Sequence, residues 1–298
     1  MPLVLSEGLP VLAELKAEGA PVADHCPAGV RPLHIGLLNL MPLKERTESD
    51  FARMLAREDL WVQLTLVKFA GQVYRHTPQE HVERFYWDFD DPVCRSRIAD
   101  GLVVTGAPVE QMPFEDVRYW PQLCAAMDWA RRNVRSTLYI CWGAQAALYH
   151  FYGIAKHPLP EKCFGIFPQQ LAETEVPLLK GLENGFLMPH SRHTEIRQQD
   201  VDAVKGLRTL VRGEKSGVGI VTTEVGNEVF VTGHLEYAPD TLHMEYMRDK
   251  SQGKPIHIPG NYYVDDNPEA GVDYSWEAGA RTFYRNWLDS CAADRAAV

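Results

Sequence analysis

Long apolar segments are missing from this 298-residue sequence, and so is a basic leader. No apolar run approaches the roughly 20 residues that a membrane-spanning helix requires. The N-terminal stretch 1–19 has no basic segment and places Glu7 and Glu14 among its apolar residues, which neither a signal peptide nor a transit peptide does. We therefore expect a cytoplasmic protein with no membrane partner.

Positive charge is also scarce. The 30 lysines and arginines are outnumbered by 40 aspartates and glutamates, which gives a formal net charge of −10. A nucleic-acid-binding surface needs a broad basic patch, so the composition argues against a nucleic-acid partner. An anionic ligand must instead meet a local group of cations.

Closely spaced cysteines are absent as well. The six cysteines lie far apart without a C-x-x-C pair, so the sequence predicts reduced thiols rather than a disulfide framework. His190 and His193 are neighbours in sequence, but no set of cysteines or carboxylates nearby completes a metal site. We expect no bound metal.

Short apolar segments alternate with amphipathic ones along the chain. Strands are predicted at 34–40, 62–69, 101–105, 137–140, 218–222 and 229–232, and helices at 116–133, 144–152, 239–250 and 277–288. A further helix follows the first strand, and Thr47 with Asp50 resembles a capping box at its start. This order predicts an α/β fold with a mostly parallel sheet flanked by helices, whose ligands bind at the carboxyl ends of the strands.

The domain organisation follows from where this alternation begins and stops. Residues 1–30 are expected to form an N-terminal arm, and residues 31–298 a single catalytic α/β domain. Within that domain, the proline-containing region 155–215 is less regular and is expected to carry substrate-binding residues. Residues 251–298 are expected to form a C-terminal extension.

The segment around Cys141 carries the strongest local signal for chemistry. An apolar strand runs into Cys141, and the small residues of Gly143-Ala144-Gln145-Ala146-Ala147 open a helix behind it. This is the pattern of a nucleophile elbow, in which the helix N-terminus favours a thiolate. The alternative is a core thiol, because free cysteine is among the most buried residue types.

A second signal lies at the end of the strand 229–232, where His234 is followed by Glu236. A histidine can deprotonate a thiol, and a carboxylate behind it can fix the tautomer and stabilise the imidazolium. Residues two apart on an extended segment point the same way, so His234 and Glu236 can act together. We interpret Cys141, His234 and Glu236 as a catalytic centre.

A third element is the strand end at Gly106 and Ala107. Their backbone amides, together with that of Trp142, can form an oxyanion hole beside the nucleophile. The alternative interpretation makes Gly106 a simple turn glycine.

The order of Cys141 and His234-x-Glu236 resembles the arrangement of class I glutamine amidotransferase-like enzymes. A wider set of motifs, from about residue 31 to 288, resembles the homoserine O-acyltransferases that begin methionine biosynthesis. These motifs are Arg31-Pro32-Leu33, Leu38-Asn39-Leu40-Met41-Pro42-Leu43-Lys44, Val104-Thr105-Gly106-Ala107-Pro108, Tyr119-Trp120-Pro121, Cys141-Trp142-Gly143-Ala144-Gln145-Ala146-Ala147, Pro189-His190-Ser191-Arg192 and Gly233-His234-x-Glu236-Tyr237.

The resemblance implies a flavodoxin-like, class I glutamine amidotransferase-like fold with a nucleophile elbow. It also implies a two-step reaction without a cofactor, in which Cys141 takes the acyl group from acyl-CoA and passes it to the hydroxyl of L-homoserine. His234 handles the protons. Relatives commonly form homodimers, so the resemblance implies a homodimer here.

Substrate-binding residues are implied by the same resemblance. The family's amino-acid site corresponds to Lys162, Ser191 and Arg248. Donor choice in the family follows the position of Glu110, where glutamate accompanies acetyl-CoA and glycine accompanies succinyl-CoA. A carboxylate there fills space and repels a succinyl group. The expected function is homoserine O-acetyltransferase with acetyl-CoA as co-substrate, and succinyl-CoA is the alternative donor.

Departures from the family pattern leave serine as an alternative acceptor. Leu235 replaces a more usual proline, the stretch 164–176 lacks histidines common in relatives, and Glu277 stands where a basic residue is common. A glutamine amidotransferase-type hydrolase is an alternative function that would use the same three catalytic residues, but the motifs 39–42 and 189–192 argue against it. A second alternative is a non-enzymatic sensor on the same scaffold, with a redox-reactive cysteine.

Overall fold

The computed structural model describes residues 2–293, so Met1 of the expected arm and residues 294–298 of the expected catalytic domain lie outside the described residues. The strands are β1 (Leu3–Val4), β2 (Val22–Ala23), β3 (Leu33–Leu38), β4 (Val62–Lys68), β5 (Tyr86–Asp88), β6 (Gly101–Val104), β7 (Ser136–Ile140), β8 (His157–Pro168), β9 (Gln170–Leu171), β10 (Leu187–Glu195), β11 (Leu207–Gly213), β12 (Gly217–Thr223) and β13 (Glu228–Val231). The helices are α1 (Pro10–Ala17), α2 (Lys44–Leu55), α3 (Gln79–Phe85), α4 (Pro92–Ser96), α5 (Trp120–Asn133), α6 (Trp142–Tyr152), α7 (Gln198–Asp202), α8 (Thr241–Ser251) and α9 (Glu277–Ala292).

The central sheet has the strand order β2-β1-β4-β3-β6-β7-β13-β12-β11-β9, with β5 beside β4. Every pair from β2 to β13 is parallel, and the last three pairs are antiparallel. The inner strands β6 and β7 are buried along their whole length, which explains their continuous apolar sequence. The predicted α/β fold with a mostly parallel sheet is confirmed.

Two apolar cores cover the two faces of the sheet. One contains Leu12, Phe51 and Trp287, so α1, α2 and α9 pack on that face. The other contains Leu123 and Leu148, so α5 and α6 pack on the opposite face. Because helices cover both faces, polar chemistry is confined to the edge where the strands end.

Helix α2 begins at Lys44, three residues before the predicted capping box, so that prediction was wrong. Thr47 donates its hydroxyl to the Leu43 carbonyl and lies inside the helix. The backbone N–H of Lys44 instead donates to the hydroxyl of Thr77, 3.1 Å away. A side chain from a distant loop thus satisfies a donor at the helix start.

The expected N-terminal arm adds to the sheet, since β1 lies between β2 and β4 and pairs in parallel with both. The region 155–215 is more regular than its sequence indicates. Strands β8 and β10 form a separate two-stranded antiparallel sheet, and β9 and β11 extend the central one. The prolines of β8 are compatible with this because a two-stranded sheet has only edge strands. No helix within residues 2–293 is long and apolar enough to cross a membrane.

Candidate active site

Cys141 stands at the carboxyl end of β7, immediately before α6, with φ 51° and ψ −116°. A positive φ is strained for a cysteine and is typical of functional turns. The helix passes so close to β6 that a Cβ on Gly143 would lie 2.6 Å from the Thr105 carbonyl oxygen. Glycine is therefore required there, and the predicted strand–turn–helix arrangement is present.

His234 follows β13, the neighbour of β7, and so reaches the same edge of the sheet. Its Nδ1 lies 2.7 Å from Oε1 of Glu236, and a side-chain hydrogen bond joins it to Cys141. The ring of Tyr237 stacks on the imidazole at a centroid distance of 4.1 Å. All three groups of the expected catalytic centre are buried and form one hydrogen-bonded array.

The charge on His234 is controlled by its two neighbours. Burial disfavours the imidazolium, but the charges and hydrogen bonds of Cys141 and Glu236 outweigh it and raise the pKa of His234 well above its usual value. A proton taken from the thiol is therefore held stably on the ring. This is what a cysteine nucleophile needs from its base.

Gly106 lies directly against the elbow. A Cβ at this position would be 3.3 Å from Cys141 Cβ and 3.7 Å from the backbone N of Trp142. Thr105 fixes this turn, because its hydroxyl accepts from the Leu40 N–H at 2.8 Å. Ala107 is buried beside it. The backbone segments expected to form the oxyanion hole thus meet next to the thiol.

The residues expected to bind the amino acid converge from three elements. Lys162 on β8 and Arg248 on α8 both approach Glu245 Oε1, at 3.2 and 3.6 Å. Ser191 on β10 pairs with Phe164 of β8, which shares a sheet face with Lys162. The Ser191 hydroxyl is buried and makes no hydrogen bond within the described part of the chain.

Sequence reasoning missed two acidic partners of this group. Asp249 Oδ1 accepts a hydrogen bond from Arg248 Nε at 2.8 Å, and Asp249 Oδ2 lies 3.8 Å from Lys162 Nζ. Glu245 also influences Tyr237, whose pKa is raised by burial and then by the charges of Glu245 and other nearby acids. The helical spacing of Glu245, Arg248 and Asp249 was the available signal, since residues three or four apart share a helix face.

Glu110 is anchored on strand β10. Its Oε2 accepts from the His193 N–H at 2.9 Å and lies 3.4 Å from the Thr194 hydroxyl. Thr194 in turn donates to Gln145 Oε1 at 2.9 Å, in the first turn of α6 behind Cys141. Glu110, the expected donor-selecting residue, is thus linked to β10 directly and to α6 through Thr194.

Asp50 on α2 is a buried acid that sequence reasoning did not connect with the site. Its nearest cation is Arg46, with Nε 3.4 Å from Oδ1. Burial raises the pKa of Asp50 to about 7, Arg46 and Arg53 oppose this shift, and the charges of Glu236 and Asp240 add to it. Asp50 therefore places a titrating carboxyl group within electrostatic reach of Glu236.

Asp50→Asn is expected to stabilise the protein relative to wild type as the pH rises. The folded state keeps the Asp50 proton to higher pH than the unfolded chain, so this group destabilises the fold increasingly between about pH 4 and pH 7. Asparagine removes that penalty, worth roughly 4 kcal/mol at pH 8, and urea unfolding at pH 4.5 and pH 8 measures it.

Asp59→Asn is the control for this experiment. A hydrogen bond from Arg57 holds the pKa of Asp59 well below its usual range, so its replacement should bring no gain at pH 8. A stability difference between Asp50→Asn and wild type that is the same at both pH values would contradict the assignment of a buried, titrating Asp50.

No group of three or more His, Cys, Asp or Glu side chains within residues 2–293 is arranged to hold a metal ion. The six cysteines form no disulfide there.

The chain is similar to known proteins along nearly its whole length. A family model described as homoserine O-succinyltransferase matches residues 2–298. A homoserine O-acetyltransferase of Parabacteroides distasonis is 48% identical over 292 residues, covering 97% of this chain and 94% of that protein. One of Phocaeicola vulgatus is 46% identical over 292 residues, covering 97% and 95%.

Among solved structures, a glutamine amidotransferase from Thermotoga maritima shares the fold. Its TM-score is 0.55 at 12% identity, and the match covers 87% of this chain and 98% of that one. The expected class I glutamine amidotransferase-like fold is therefore confirmed. Because the family model spans nearly the whole sequence, the chain belongs to the homoserine O-succinyltransferase family.

Proposed function

We propose that this protein is a homoserine O-acetyltransferase that moves an acetyl group from acetyl-CoA to L-homoserine through an acyl-thioester on Cys141. The observation that carries the proposal is the buried array of Cys141, His234 and Glu236 at the elbow. The names of the relatives support acetyl as the transferred group. The resemblance also underlies our proposal of a homodimer, and the widely spaced cysteines underlie our proposal of a cytoplasmic location.

In the first step the Cys141 thiol gives its proton to His234, and the sulfur attacks the thioester carbonyl of acetyl-CoA. In this proposal the oxyanion that forms accepts hydrogen bonds from the amides of Trp142 and the Gly106–Ala107 turn, which is supported by the closeness of Gly106 to Cys141 and Trp142. The carbon–sulfur bond to CoA breaks, and His234 returns the proton to the departing thiolate. One thioester has replaced another, so the exchange is nearly balanced in bond energy.

In the second step His234 takes the proton from the hydroxyl of homoserine as its oxygen attacks the acetyl carbonyl. The bond to Cys141 breaks, the thiolate leaves, and the proton on His234 can return to it. Glu236 stabilises the imidazolium in both steps through its hydrogen bond to Nδ1.

The amino-acid substrate is a zwitterion and needs both signs of charge. Arg248 and Lys162 offer cations for its carboxylate, while Glu245 and Asp249 offer anions for its ammonium group. The hydroxyl of Ser191, which has no hydrogen-bond partner among residues 2–293, supplies a further hydrogen-bonding group. Binding the substrate then replaces ion pairs that already hold these side chains in place.

The proposal is tested by crossing acetyl-CoA and succinyl-CoA with homoserine and serine and measuring the free CoA thiol. We expect acetyl-CoA with homoserine to be the best pair. Glu110→Gly should then raise the succinyl-to-acetyl ratio of kcat/KM by roughly 10- to 100-fold. The substitution removes the negative charge that repels the succinyl carboxylate and the side-chain volume that fills the pocket.

Glu110→Gln is the matched control, since it removes the charge and keeps the volume. A wild-type enzyme that already prefers succinyl-CoA would contradict the role of Glu110. Release of ammonia from glutamine, with no CoA thiol released, would instead favour the amidotransferase-type hydrolase.

A further inference from the structure

A cavity of about 270 Å³ lies at the carboxyl ends of β3 and β4, on the same edge of the sheet as Cys141. Its lining includes Asn39, Lys44, Tyr74, Val109 and Tyr119. None of these side chains takes part in the chemistry described above. The cavity is therefore separate from the thiol but shares its edge of the sheet.

The cavity is close enough to the thiol for a single substrate molecule to reach both. Gly106 touches Cys141, and Val109, only three residues further along the chain, lines the cavity. Three residues span at most about 11 Å even when fully extended. The pantetheine arm of CoA is longer than this, so a thioester at Cys141 can extend into the cavity.

Hydrogen bonds fix the walls in place. Lys44 Nζ donates to the Asn39 carbonyl and lies 4.5 Å from the ring centroid of Tyr74. The Thr77 hydroxyl donates to the Pro42 carbonyl at 2.9 Å and ties the two loops together. Such a prebuilt wall lowers the entropy cost of binding a flexible ligand.

Arg75 and His76 stand at the rim of the cavity without an acidic partner among the described residues. Arg75 and His76 are exposed, and neither side chain has a hydrogen-bond or ion-pair partner among residues 2–293. By contrast, Arg53 and Arg57 are each paired with two acidic residues. In a chain with net charge −10, an arginine with no acidic partner among residues 2–293, next to a histidine that can donate a hydrogen bond, is a local match for a phosphorylated ligand.

We propose that this cavity binds the pantetheine arm of the acyl-CoA donor and that Arg75, with His76, binds its phosphates. The inference rests on the proposed function and identifies where the non-reacting part of the donor is held. Binding energy from that part of the molecule positions the thioester over Cys141.

The test compares acetyl-CoA with acetyl-pantetheine, which has the same thioester and no phosphate. Arg75→Ala should raise KM for acetyl-CoA roughly fivefold or more, with kcat and KM for acetyl-pantetheine nearly unchanged. Val109→Trp, which narrows the cavity, should raise KM for both donors but not for homoserine. Arg197→Ala, which removes an exposed arginine outside the cavity, is the matched control.

Two outcomes would overturn the inference: an unchanged KM for acetyl-CoA in Arg75→Ala, or an equal rise in Arg197→Ala. Calorimetric binding of free CoA provides a readout that needs no turnover. Weaker CoA binding by Arg75→Ala than by wild type would support the assignment of the cavity as the CoA site even if no acetyl transfer were observed. Equal binding by both would reject it independently of the proposed reaction.

Discussion

Replacing Cys141 with alanine is expected to lower kcat/KM for acetyl transfer to homoserine by roughly 10⁴-fold or more, because the acyl group loses its covalent carrier. The side chain is buried at a strained turn and hydrogen-bonded to His234, so nothing else in the described array can take its place as nucleophile. Release of CoA thiol in the presence of homoserine measures the loss.

Cys124→Ala is the matched control. Cys124 is a half-buried thiol on α5, and burial raises its pKa to about 11, so it stays protonated and unreactive. This variant should keep wild-type activity. A Cys141→Ala enzyme that retained a tenth or more of the activity would indicate direct transfer between the two substrates without an acyl-enzyme.

Glu236→Gln is expected to lower kcat/KM by roughly 10³-fold, since an amide can present its NH₂ group to Nδ1 and reverse the tautomer of His234. The substitution also removes the charge of Glu236, which is one of the two charges that raise the pKa of His234 against the effect of burial. The imidazolium then deprotonates at lower pH. The alkaline limb of the pH profile of kcat/KM for acetyl-CoA should therefore move to lower pH.

Glu228→Gln tests whether the effect is specific. Glu228 is as buried as Glu236, and it forms an ion pair with Arg131. It lies at the amino end of β13, whereas the elbow lies at the carboxyl ends of the strands. Its loss is expected to affect stability and to leave the pH profile unchanged. An unaltered rate and profile in Glu236→Gln would contradict its role beside His234.

The arrangement of the proposed catalytic centre could be predicted from sequence because its signals are local. An apolar strand running into Cys141 and small residues after it specify the elbow, and the spacing of His234 and Glu236 brings the carboxylate to the imidazole. The parallel sheet follows from the alternation of strands and helices. It then brings both segments to one edge, since β7 and β13 are neighbours.

Features that depend on distant contacts could not be predicted. The start of α2 is capped by Thr77, more than thirty residues away, and no local pattern shows this. Asp50 and Glu236 interact through their charges only because α2 packs on the face of the sheet whose core also contains Cys141. The pairing of β8 with β10 depends on the register between two separate segments of the chain. The prolines of β8 also make its sequence resemble that of a loop.

The central claim is that Cys141 carries the acyl group, and mass spectrometry of the intact protein tests it most directly. Wild-type protein mixed with acetyl-CoA and no acceptor should gain one acetyl group, which peptide mapping assigns to Cys141 and which homoserine then removes. Turnover with homoserine but no acetylated Cys141 at any time, or an acetyl group that homoserine does not remove, would contradict the account.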